Sequence, residues 1–180
     1  NTIDRLRGVS TTDATYSGPY LQTINRNAEP LSTGITNAFD NTGFKMIAGY
    51  AGYQTIFYSF KRAPKFMDVV AYTGNGSVRT INHNLQVAPD LMIVKCRSAN
   101  SSYWVVYDKT GTATDYLYLD STNAQGAFSG YWNNTEPTST VFTLGTGNGD
   151  DTNASSQKYI AYLFATLAGI SKVGSVVHSG

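Results

Sequence analysis

Hydrophobic residues in this 180-residue chain fall in short alternating runs, with almost no spacing of the helical kind. Alternation puts successive side chains on opposite faces of an extended backbone, so each run predicts a half-buried β-strand. Read in order, the predicted strands are Tyr20 to Ile24, Phe44 to Ile47, Gln54 to Phe60, Val69 to Tyr72, Val78 to His83, Leu91 to Arg97, Tyr103 to Tyr107, Tyr116 to Leu119, Val141 to Leu144 and Lys158 to Phe164. The run from Leu91 is apolar on nearly every residue at its start, which suits an interior strand covered on both faces. Asn75-Gly76 is a hairpin signal, because both residues tolerate positive φ. Phe39 to Gly43 and Trp132 to Thr135 are turn-rich clusters. Short strands with turn signals between them predict an all-β fold of antiparallel β-sandwich or jelly-roll modules.

The pattern also repeats. Gln54 to Gly76 returns without a gap as Lys158 to Gly180, so that Ile56, Tyr58, Phe60, Val69 and Gly76 meet Ile160, Tyr162, Phe164, Val173 and Gly180 at an offset of 104 (164 − 60). A strand, a connector and the start of another strand is how the seam between tandem modules reads. The expected organisation is a partial module over residues 1–66, a complete one over 67–166, and over 167–180 a connector with the start of a further strand. Tyr20 to Ile24 then corresponds to Tyr116 to Leu119, and Phe39 to Trp132. The trio Ile56, Tyr58 and Phe60 is expected to superpose on Ile160, Tyr162 and Phe164. The abrupt start, NTIDRLRG, reads as an excision from a longer polypeptide, without a hydrophobic signal core or a bilayer-length run. The early strands of the first module are then missing, leaving edges or apolar faces for another chain to cover.

Composition narrows the function classes. With 41% hydrophobic residues the chain can bury a core, and its net charge of +1 leaves no electrostatic footprint for nucleic acid or lipid headgroups. The single Cys96 excludes a disulfide framework and a cysteine zinc site, and its place in a strand predicts a buried, inert thiol. His83 and His178 are the two histidines, and neither has a Gly-x-Ser-x-Gly elbow beside it. Asp108, Asp115, Asp120 and Glu136 show no spacing that favours a glycosidase pair. Catalysis and a cofactor are therefore not expected. Gly145 to Asn153 (GTGNGDDTN) offers Asp150, Asp151 and Asn153 as hard oxygen donors for a metal. It lacks the terminal Glu of a calcium loop, and a solvated hairpin loop is the plainer reading.

Several motifs are specific. Tyr72 to Gly76 (YTGNG), His83 to Pro89 (HNLQVAP), Ile93 to Lys95 (IVK), Trp132 to Gly145 (WNNTEPTSTVFTLG) and Tyr159 to Ala165 (YIAYLFA) resemble tandem modules in virion proteins of tailed bacteriophages, many of them marine. The resemblance covers the second copy nearly end to end. It implies a lectin-like β-sandwich in a tail fibre or other appendage on the virion surface. Partners would be other virion proteins and a host cell-surface glycan or protein, without nucleic acid or membrane insertion. A homotrimer is the first expectation for assembly. Two roles stay open: a host-recognition module, and a capsid decoration, fibre or spacer that binds only its neighbours. For recognition, the aromatic residues Tyr103, Trp104 and Tyr131 are the candidates to stack on sugar rings. Tyr103 and Trp104 face opposite ways in a strand, so they are not expected both to be core and one of them should be exposed or at an interface, whereas Trp132 is expected to pack.

Overall fold

The computed structural model describes residues 17–29, 31–33, 38–39, 44–45 and 58–176. Near the N-terminus, β1 (Ser17–Pro19) pairs antiparallel with β2 (Leu31–Thr33), and β3 (Ala38–Phe39) with β4 (Phe44–Lys45). From residue 58 onward there are eight strands: β5 (Met67–Thr73), β6 (Arg79–Asn82), β7 (Leu91–Cys96), β8 (Trp104–Asp108), β9 (Asp115–Tyr118), β10 (Gly126–Ala127), β11 (Val141–Leu144) and β12 (Lys158–Phe164). One helical turn, α1 (Ser129–Trp132), precedes β11.

The strands form an all-β sandwich. A six-stranded antiparallel sheet in the order β10-β9-β8-β7-β12-β5 lies against the two-stranded sheet β11-β6. Interior position follows from sequence: β7 and β12 carry apolar residues on both faces, and β12 sits between β5 and β7, with Tyr162 opposite Val69 on one side and Ile93 on the other. Alternation sorts the side chains. Val94, Val105, Ala161 and Leu163 point toward Ile81, Phe142 and Leu144 of the second sheet, with Trp132 and Tyr131 of α1 closing that core. Each large side chain buried there contributes about 1.5–3 kcal/mol relative to exposure. Gly145 is required where β11 meets α1: a Cβ there would stand 2.3 Å from the Gly130 carbonyl oxygen.

The opposite face of the large sheet carries Met67, Val69, Trp104, Ile160 and Tyr162, and Leu21 packs into this second cluster. Leu21 belongs to residues 20–29, a strap laid across the sheet. Trp104 Nε1 donates to the carbonyls of Gln22 and Asn25 at 3.1 and 3.2 Å. Glu29 N–H donates to the Arg97 carbonyl at 2.7 Å, and the Arg97 guanidinium grips the Glu29 carboxylate at 2.8 and 3.0 Å. Lys95, fully buried beneath the strap, donates to the carbonyls of Ser102 and Arg26 at 2.8 and 3.3 Å. Burial pushes its pKa down.

Several sequence expectations need correction. Tyr20 to Ile24 is no strand: only Leu21 makes a bridge, and Thr23 and Ile24 form a turn, because the carbonyl of Gln22 serves Trp104. Tyr58 to Phe60 lies outside any strand with Tyr58 81% and Phe60 59% exposed, while its counterparts Tyr162 and Phe164 lie in β12; residues 54–57, and so Ile56, fall outside the described residues. Phe39 lies in β3 whereas Trp132 lies in α1, so the two do not occupy matching elements. Residues 46–47 of the expected strand from Phe44 are also outside the described residues. Asn75-Gly76 joins no hairpin. Gly74 and Gly76 donate to Gln157 and Asn153 carbonyls at 2.8 and 2.7 Å, and the turn hands the chain from β5 in one sheet to β6 in the other.

Candidate functional site

The strap creates a polar groove of about 610 Å³, lined by Tyr20, Gln22, Asn25, Asn27, Ala28, Glu29 and Asn100. Its floor is fixed by the contacts that hold the strap down. Asn100, from the loop between β7 and β8, accepts a hydrogen bond from Ala28 N–H at 2.8 Å, and Asn25 Oδ1 accepts one from Asn27 N–H at 3.1 Å. The amides of Asn25 and Gln22 are bonded to each other. The one carboxylate in the lining, Glu29, is paired with Arg97. The groove is therefore a neutral surface of amide donors and acceptors beside one phenol ring. Amides present a donor and an acceptor in fixed geometry, which suits a ligand made of hydroxyl groups. A phenol ring adds an apolar face. Two carboxylates flanking a substrate, the arrangement for glycoside hydrolysis, are not assembled here.

The residues expected from sequence to stack on sugars are elsewhere engaged. Tyr103 has both ring faces covered, by Tyr118 at 3.8 Å between centroids and by the Arg26 guanidinium carbon at 3.6 Å. Trp104 is 1% exposed beneath the strap, so neither member of the pair is free, against expectation. Tyr131 is fully buried, its hydroxyl donating to Asp151 Oδ2 at 2.7 Å and receiving Tyr118 at 2.9 Å. Because Tyr131 spends its proton on Asp151, Tyr118 must be the donor to Tyr131. Burial pushes the Tyr131 pKa far up, and Tyr118 to about 12. These rings are scaffold. Trp132 does pack, at 1% exposed, with its Nε1 donating to the Asp115 carbonyl at 3.2 Å.

The 145–153 loop is likewise structural at its end, not a solvated hairpin. Asp151 and Asn153 are 4% and 0% exposed. Asp151 Oδ1 accepts from Tyr103 N–H at 2.8 Å. Burial raises its pKa, with Tyr103 N–H and the Tyr131 hydroxyl opposing. Asn153 accepts from Asn75 N–H at 3.2 Å and donates to the Ser77 and Gly145 carbonyls at 2.7 Å each. The side-chain oxygens of Asp151 and Asn153 are thus directed at protein donors rather than converging on an ion. Among the described residues no group of three His, Cys, Asp or Glu is placed to hold a metal. His83 is buried and bonded on both ring nitrogens, to the Thr138 carbonyl and Leu85 N–H at 3.2 Å each. His178 lies outside the described residues. No helix among them is long and apolar enough to cross a membrane.

Sequence reading missed the groove. Gln22, Asn25 and Asn27 stand within six residues, and that density of amides is the one signal the chain offered. Their meeting with Asn100 depends on Trp104 and Lys95 anchoring the strap.

A family model described as a domain of unknown function (DUF7483) matches residues 58–180. No curated protein and no solved structure matches the chain. The matched residues include both sheets of the sandwich and Asn100, whereas the strap lies before them.

Proposed function

Taking as premise that the chain belongs to the DUF7483 family, we propose that it is a non-enzymatic structural module of a virion appendage of the tail-fibre type, on the surface of the particle, whose strap groove contacts host-surface glycan. The observation that carries this reading is the neutral, amide-lined groove of about 610 Å³ on a rigid sandwich. Loops held on a stable sheet can change without disturbing the core, which is where recognition is usually carried. The motifs behind the phage resemblance lie largely in scaffold: Tyr72 and Tyr159 stack at 5.1 Å between the layers, and Phe142 and Leu144 are fully buried. Specificity would then reside in the strap.

The test is binding of the purified chain to polysaccharide from candidate hosts. Tyr20→Ala and Asn27→Ala should each weaken binding about tenfold, the loss of roughly one good contact at 1.4 kcal/mol. Lys172→Ala, on the exposed C-terminal segment, should leave it unchanged. Equal binding by all variants removes the groove from the reading, and cleavage of the polysaccharide removes the non-enzymatic role.

A second reading, a spacer or capsid decoration that binds only its neighbours in the particle, is favoured by one observation: Ile170 and Val176 are 69% and 94% exposed just after β12. In either role the proposed assembly is a homotrimer. Light scattering at micromolar concentration should give three times the chain mass, and a monodisperse monomer would overturn that assembly.

A further inference from the structure

The strap is held as a bound peptide is held. The Gln22 and Asn25 carbonyls accept from Trp104 Nε1 and the Arg26 carbonyl from Lys95 Nζ, while the N–H groups of Ala28 and Glu29 donate to Asn100 Oδ1 and the Arg97 carbonyl, all at 2.7–3.3 Å. Bonds to main chain give affinity for a segment of any sequence, and side chains seated in separate places choose among sequences. Three are seated here. Leu21 enters the apolar cluster of Met67, Val69, Trp104, Ile160 and Tyr162 and is 1% exposed. Arg26 lays its guanidinium carbon 3.6 Å from the centre of the Tyr103 ring, with Nε 3.5 Å from the fully buried carboxylate of Asp120. Glu29 receives the fork of Arg97. The face therefore reads a segment of the form Leu-x4-Arg-x2-Glu.

Every group that does the reading lies within residues 58–180, the stretch matched by the family model, and the strap lies before it. Covalent connection does not decide whose strap is read. The strap is the loop of the β1–β2 hairpin, closed by Pro19 opposite Leu31, so residues 17–33 form one unit. Residues 34–57, 24 in number (57 − 33), join that unit to the sandwich. Of these, the eight from Ala38 to Lys45 are spanned by the β3–β4 hairpin, which leaves 16 (24 − 8) to bridge distance. At about 3.3 Å per residue those reach at most roughly 50 Å. A domain of this size has a radius of gyration of roughly 14 Å, so the tether reaches the face of a chain in contact as well as its own.

We propose that the face beneath the strap is a peptide-recognition site for Leu-x4-Arg-x2-Glu, and that residues 17–33 of a second copy of this chain fill it as residues 17–33 of the same chain do here, so that neighbouring chains exchange straps. Exchange of an identical element between protomers is a low-cost route to assembly, because each contact of the closed chain is kept. The groove is then shared, with Tyr20, Gln22 and Asn25 from one chain and Asn100 from its neighbour. The inference does not rest on what the groove binds.

The two tryptophans of the chain supply the readout. The indole N–H of Trp104 is bonded to the strap, whereas that of Trp132 donates to the Asp115 carbonyl in the sandwich. Exchange of both indole protons with solvent is followed by NMR. The receptor is isotope-labelled full chain carrying Leu21→Asp and Glu29→Arg, which spoil its own strap. The donor is unlabelled full chain carrying Arg97→Glu, which keeps a native strap and spoils its own face. Alone, the receptor should exchange the Trp104 proton fast and the Trp132 proton slowly. Excess donor should slow Trp104 exchange at least tenfold and leave Trp132 unchanged. Trp104 exchange that donor does not slow overturns the proposal. Equal slowing by a donor that also carries Leu21→Asp overturns it too, since the chains then meet through another surface. Should Leu21→Asp cost the receptor its fold, shown by fast exchange at Trp132, Glu29→Arg alone takes its place under the same criterion.

Discussion

Protonation of His83 has a cost that its surroundings define. Its ring accepts Leu85 N–H at Nδ1 and faces the Thr138 carbonyl through Nε2, an arrangement that only the neutral tautomer with the proton on Nε2 satisfies. Burial, the largest cause, holds its pKa below the ordinary value, with the Thr138 carbonyl and Asp68 opposing. The unfolded chain therefore takes up the proton first. Stability from this group is complete above about pH 6.5 and is lost as the pH falls from there through the lower folded value. Melting temperatures of the wild type and His83→Asn should run parallel above pH 7 and converge below it; a constant difference down to pH 5 would contradict this. Asn153→Ala should destabilise by about 1–3 kcal/mol, because it leaves buried carbonyls without donors. Chelator should leave the melting point of the wild type unchanged, since the side-chain oxygens of Asp151 and Asn153 are used by the protein. Trp132 was legible as a packing residue, whereas Trp104 was not. The alternation in Tyr103 to Tyr107 says that the two aromatics face opposite ways; it cannot say that a strap from about 80 positions upstream lies on one of them.

At the scale of elements, the interior strands were the most legible. The near-continuous apolar run at β7 and the dense one at β12 can be satisfied only between neighbours, and both lie inside the six-stranded sheet. The Asn-Gly turn was misread because its local chemistry matches a hairpin, while its partners, Gln157 and Asn153, are about 80 residues away. Gly145→Ala should cost about 1–3 kcal/mol as an overpacked contact against Gly130, measured by denaturant unfolding. Trp104→Phe retains the apolar body and removes the donor to Gln22 and Asn25. It should cost about 1 kcal/mol and speed amide exchange in the strap, with the core of β12 unaffected. Equal acceleration in both would mean that the strap and the sheet open together.

For the molecule as a whole, the all-β sandwich followed from strand length and turn density, and of the gapless repeat the structure shows the matching turns at Ala63 to Met67 and Leu167 to Ser171. The repeat was informative where backbone conformation is local, at Ala63 to Met67 and Leu167 to Ser171, and failed where it demanded matching sheet positions for Tyr58 and Phe60. A turn is specified by a handful of residues, but a strand needs partners, and those are distant. The sandwich also contains a chemical clock. Cys96, fully buried at the end of β7 opposite Tyr159 on the face that meets the smaller sheet, is the only thiol in the chain. A bulky disulfide reagent can reach its sulfur only after the two layers part. At saturating reagent the colour released should follow one exponential whose rate no longer depends on reagent concentration, and that rate is the opening of the sandwich itself.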